Sequence, residues 1–131
     1  MSMILVVEDD PMNRDMLVRR LIWEGYQVIT AINGAQAVEL ACDQHPDLIL
    51  MDVGIPVLNG WQATRQLKSH PLAGDIPIII LTAYALSEDR LASLDSGCDD
   101  YETKPINFSQ LLEKMKRCLA LKQSAQRRAK V

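Results

Sequence analysis

Residues 3–11 read Met-Ile-Leu-Val-Val-Glu-Asp-Asp-Pro, an apolar run of five, three acids in succession, and a proline. Five apolar residues are too few for a helix and too continuous for a strand with one wet face, so they describe a strand covered on both sides, as in a parallel sheet. Asp10 followed by Pro11 has the form of a helix start, a capping side chain ahead of a residue whose φ is already helical. The acids therefore fall where a buried strand hands over to a helix.

The same unit recurs along the chain. Leu48–Met51 and Ile76–Leu81, the latter with Pro77 near its start, are further apolar runs, and Gln27–Ala31 is a weaker one. Helical spacing fills the intervals. Met12, Met16, Leu17 and Leu21 mark a first helix, Ala37, Val38, Ala41 and Cys42 a second, and Trp61, Thr64, Arg65 and Leu67 a looser third. Leu86 to Leu94 holds a fourth, and Phe108, Leu111, Leu112, Met115 and Leu119 line a long last one. Gly25 closes the first helix, Asn33-Gly34 and His45-Pro46 bracket the second, and Asp99–Thr103 is a short polar strand suited to a sheet edge. Strand and helix alternating about five times predict an open α/β sheet with right-handed crossovers.

A chain of 131 residues, 48% of them hydrophobic, suits one domain. Residues 1–121 are expected to form it, with 122–131 as a basic, frayed tail and no linker to a second domain. No apolar run approaches the roughly 18 residues that cross a bilayer, and no basic leader with a cleavage site opens the chain, so a cytoplasmic protein away from the membrane is expected. Cys42, Cys98 and Cys118 are widely spaced, without a Cys-x-x-Cys pair, and read as buried apolar residues. Trp23 and Trp61 are expected to pack helices, and His45 and His70 to be loop or helix-end residues. Net charge is −3, but Lys122, Arg127, Arg128 and Lys130 crowd the end. Removing these four from the 14 basic residues leaves 10 against 17 acidic ones, a body at −7 and a poor nucleic-acid binder. The final residues show no DNA-binding domain, so direct transcriptional control is not expected.

Each strand is followed by a reactive residue type. Glu8-Asp9 follows the first, Asp52 the third, Thr82 the fourth and Lys104 the fifth. In an open parallel sheet the strand carboxyl ends share one edge, where ligands bind, so these distant residues are expected to meet there. Three converging carboxylates repel one another and call for a cation. Magnesium suits them, since it takes one or two carboxylates, a carbonyl and a phosphoryl oxygen while keeping waters. Asp52 is then the candidate nucleophile for a phosphoryl group, with Lys104 and Thr82 contacting its oxygens.

Val6-Val7-Glu8-Asp9-Asp10, Leu50-Met51-Asp52, Thr82-Ala83 and Lys104-Pro105, in this order and spacing, resemble the receiver domain of two-component response regulators over residues 3 to about 121. The resemblance implies a flavodoxin-like fold, a five-stranded parallel sheet in the order 2-1-3-4-5 with five helices on both faces. It implies a phosphoryl group arriving from a phosphohistidine on a sensor kinase or phosphotransfer protein, metal held by Glu8, Asp9, Asp52 and the Gly54 carbonyl, and a cis Lys104-Pro105 bond. Thr82 and Tyr101 would form the switch, and the fourth helix, fifth strand and fifth helix the face presented to a downstream protein. The only catalysis implied is self-phosphotransfer and autodephosphorylation; the chain is not read as an enzyme. Tyr84, two residues after Thr82, would slow the attacking water. A phosphorelay intermediate, a docking receiver independent of phosphorylation, and a monomer or weak homodimer are left open. An aspartate-nucleophile phosphatase would carry a second acid where Gly54 stands, and a flavodoxin-like electron carrier would carry a Gly/Ser/Thr-rich phosphate loop where the acids stand.

Overall fold

The computed structural model describes residues 2–83 and 87–129, the latter as backbone alone at 87–89 and 123–129. Strands β1 (Met3–Val7), β2 (Gln27–Ala31), β3 (Leu48–Asp52), β4 (Ile78–Thr82) and β5 (Asp100–Thr103) alternate with helices α1 (Pro11–Trp23), α2 (Gly34–Gln44), α3 (Gly60–Lys68), α4 (Ser87–Asp95) and α5 (Phe108–Ala129). All pairings are parallel, in the order β2-β1-β3-β4-β5, as the resemblance implied. The fourth strand begins at Ile78 rather than Ile76, because Pro77 has no N–H to give a ladder; its carbonyl accepts from Ile49.

β3 and β4 are buried at every position, as a strand covered on both faces must be. Alternate residues feed two cores. Leu5, Val7, Ile49, Met51, Ile78 and Ile80 pack under α2 and α3, and Ile4, Val6, Leu48, Leu50, Ile79 and Leu81 pack with Leu21 of α1 and with Leu111 and Met115 of α5.

Helix starts follow their expected chemistry. The Asp10 carboxylate accepts from the N–H groups of Met12 and Asn13, and Asn33 caps α2 by accepting from Gln36. Asn59 and Gln62 close a reciprocal capping box on α3. Gly25, at φ +93, takes the left-handed turn that ends α1.

Three expectations need correction. Trp23, expected to pack helices, stands 84% exposed; α1 itself forms as its spacing predicts, with Leu21 in the core and Met12 and Met16 on the open side, 73% and 66% exposed. Of the cysteines, Cys118 is buried but Cys42 and Cys98 are only half-buried, because each sits at a rim where a helix ends. The backbone of 122–129 continues α5 as helix rather than fraying. No helix among the described residues is long and apolar enough to cross a membrane.

Candidate functional site

The parallel register sets the carboxyl ends of β1, β3, β4 and β5 side by side. Val7 pairs with Met51, Asp52 with Leu81, and Thr82 with Thr103, so Glu8, Asp52, Thr82 and Lys104 reach one edge from four strands. There the carboxylates of Glu8, Asp9 and Asp52 each place an oxygen within 4.8 Å of the others. Glu8 and Asp52 are buried, while Asp9 is exposed at the mouth.

Lys104 supplies the opposing charge. Its Nζ lies 3.1 Å from Asp52 Oδ1 and 3.4 Å from Glu8 Oε1. Burial works against that ammonium, but Asp52 and Glu8 outweigh it and hold its pKa above the ordinary lysine value. Glu8 goes the other way. Burial first, then the neighbouring Asp52, pushes its carboxyl up to about 7 despite Lys104. Its second oxygen, Oε2, is buried without a hydrogen bond, an arrangement that costs free energy unless a cation or proton occupies it. One lysine is thus shared by acids that want more positive charge than it carries.

The backbone around the cluster is tightly held. Thr82 is buried at the tip of β4, and its carbonyl accepts from the Lys104 N–H at 2.7 Å, fixing the start of the Lys104-Pro105 turn, whose peptide bond is cis. Gly60 opens α3 directly against β3, where any Cβ would collide with the backbone of Asp52 and Val53. Gly54 flanks Asp52 on the outer side, its Cβ direction 3.9 Å from Oδ2, the oxygen that Lys104 does not hold. Tyr101 lies three residues before Lys104 and packs, half-buried, against the core under α2 and α3. Tyr84 falls outside the described residues.

Sequence reasoning passed over Arg14 and Gly60. The Arg14 guanidinium donates to the Glu8 carbonyl at 3.0 Å and the Asp9 carbonyl at 3.4 Å, bracing the acidic turn from the first turns of α1. Nothing in an isolated arginine signals this; only the path of the chain shows it.

A concavity of about 910 Å3 opens beside the cluster, between α1 and the start of α5. Met16, Leu17, Trp23, Ile106 and Phe108 line it, and Glu8 and Lys104 form its inner end. The Arg20 guanidinium stacks 4.7 Å above the Phe108 ring at its rim.

Known proteins share this fold. The family described as "Response regulator receiver domain" matches residues 4–116. Response regulator MprA of Mycobacterium sp. (strain KMS) is 41% identical over 116 residues, which cover 88% of this chain and 50% of that protein. The chain thus spans about half the length of the curated relatives it matches. Among solved structures, the receiver domain of sensor histidine kinase PA1611 from Pseudomonas aeruginosa PAO1, which has a magnesium ion in its active-site cleft, is 39% identical with a TM-score of 0.85, covering 91% of this chain and 98% of that one. A CheY-like receiver domain from Methanospirillum hungatei JF-1 is 31% identical at a TM-score of 0.86, covering 95% and 98%. With the strand order, the acid cluster and the opposing lysine all in place, the chain belongs to the response regulator receiver domain family of two-component systems.

Proposed function

We propose that Asp52 accepts a phosphoryl group from a phosphohistidine on a sensor kinase or phosphotransfer protein, and that the phosphorylated chain signals to a protein partner. The carrying observation is the edge cluster itself, with Glu8, Asp9 and Asp52 gathered within 4.8 Å and Lys104 3.1 Å from Asp52. A carboxylate oxygen attacks phosphorus, the P–N bond breaks, its electron pair leaves with the imidazole, and Asp52 becomes an acyl phosphate. Asp52 Oδ2, the oxygen that Lys104 does not hold, is assigned the attack.

Glu8, Asp9, Asp52 and the Gly54 carbonyl are the ligand set for magnesium, and the unpartnered Glu8 Oε2 fits the need for a hard cation. When bound, the ion supplies positive charge to the acids and to the phosphoryl oxygens. Lys104 holds a phosphoryl oxygen, and the Thr82 hydroxyl donates to another. The concavity that ends at Glu8 and Lys104 offers the donor protein an apolar seat next to the acid cluster.

Output is assigned to α4, β5 and α5. Leu91 and Leu94 of α4 are each 60% exposed, and Tyr101 on β5 is half-buried against the core, three residues before Lys104. Thr82 drawn toward the phosphoryl group vacates room for the Tyr101 ring, a two-state element biased by local charge. The chemistry is confined to self-phosphotransfer and autodephosphorylation, with no separate substrate turned over. Action as a phosphorelay intermediate uses the same chemistry, and the receiver of the PA1611 histidine kinase among its neighbours favours keeping that role beside a diffusible regulator.

The test is incubation of the whole chain with magnesium and acetyl phosphate. Intact mass should rise by one phosphoryl group in wild type and not in Asp52→Asn; an equal gain in both would refute the assignment.

A further inference from the structure

Among the described residues β5 is an edge strand paired with β4 alone, so one side of its backbone is left to other groups. The Tyr101 N–H turns to Asp100 Oδ1 at 2.8 Å, and the Tyr101 carbonyl accepts from Lys114 Nζ, on α5, at 2.6 Å. The same ammonium forms an ion pair with Glu102 Oε2 at 2.8 Å, stands 4.0 Å from Asp100 Oδ1, and lies 5.7 Å from the centre of the Tyr101 ring. The Glu102 side chain is only 5% exposed and needs that cation.

We infer that Lys114 is a positioning residue for Tyr101, holding three successive residues of β5 and weighting the ring toward its present place. The inference rests on reading Tyr101 as the switching side chain. A cation near an aromatic face attracts it, and a ring moving into space beside Thr82 leaves the ammonium behind. Lys114 touches none of Glu8, Asp52 or Lys104, so it acts on the switch and leaves phosphoryl transfer alone. It sets how readily the ring turns, through an attachment outside the phosphorylated edge.

Fluorotyrosine incorporated into the full chain tests this by fluorine NMR. The chain has three tyrosines, and Tyr101→Phe identifies the resonance that matters. Without any phosphoryl donor, Lys114→Met should change the ratio of ring positions by about two- to fivefold, the size of an exposed cation–π contact, while Lys114→Arg stays near wild type. Since Lys114→Met leaves the Glu102 carboxylate unpaired, the double change Lys114→Met with Glu102→Gln carries the same test without a buried charge and should show the same redistribution. Mass gain with acetyl phosphate should match wild type in all of them. Unaltered Tyr101 resonances in the methionine variants, or an arginine variant as disturbed as methionine, would overturn the inference. Failure of the phosphoacceptor reading shows itself separately, as no mass gain in wild type.

Discussion

At the amino ends of the strands Lys68 Nζ meets Asp99 Oδ2 at 2.7 Å and His45 Nε2 meets Asp75 Oδ1 at 3.1 Å, each side chain with a carboxylate of its own. Lys68 also donates to the Ile76 carbonyl, and Asp99 also accepts from the Ile78 N–H. At the carboxyl ends Lys104 faces both Glu8 and Asp52, with Asp9 close by and one Glu8 oxygen without a hydrogen bond. One end of the same sheet is electrostatically closed and ties helices to strands. The other is left short of positive charge, and on the function proposed above a cation makes up that shortage before a phosphoryl group arrives.

Removing the lysine at each end should therefore have opposite consequences. Lys104→Met should slow phosphorylation by acetyl phosphate about a hundredfold, the usual loss when one preorganised contact to a developing anion goes. Followed by intact mass over time, a rate within twofold of wild type would erase the distinction between the ends.

Magnesium sharpens it further. At about a hundred times its dissociation constant, a ligand bound by the folded form alone stabilises it by about 2.7 kcal/mol, so the thermal midpoint should rise by several degrees. Asp9→Asn should remove most of that rise, whereas Lys68→Met should keep it. An increase surviving in Asp9→Asn would place the ion elsewhere.

Lys68→Met should itself cost about 1–2 kcal/mol in urea denaturation, for the lost contacts to Ile76 and Asp99, and leave the phosphorylation rate unchanged. The last prediction lies away from both ends and concerns Cys118, whose thiol burial, helped by Asp99 and Asp100, pushes up to about 11. A raised thiol pKa keeps the neutral form dominant below that value. At pH 8 alkylation by iodoacetamide should run at about a hundredth of the rate of an ordinary thiol, and peptide mapping would show it.

The order of elements was written in one-dimensional signals. Continuous apolar runs mark β1, β3 and β4 because strands buried on two faces have no polar side to show. Asp10 and Asn33 mark helix starts because capping is a contact between near neighbours in sequence. The reactive types at the strand ends were legible for the same reason, since a strand end is a local feature. Hidden from the sequence were the facts that depend on packing between distant segments. α1 leaves Met16 and Trp23 open beside a concavity, Arg14 braces the acidic turn, Gly60 sits under Asp52, and Lys114 reaches three residues of β5. Helical periodicity says which residues share a face but not how much of that face a neighbour covers. Charge composition counts acids and bases, and only the folded chain decides which lysine stands between which carboxylates.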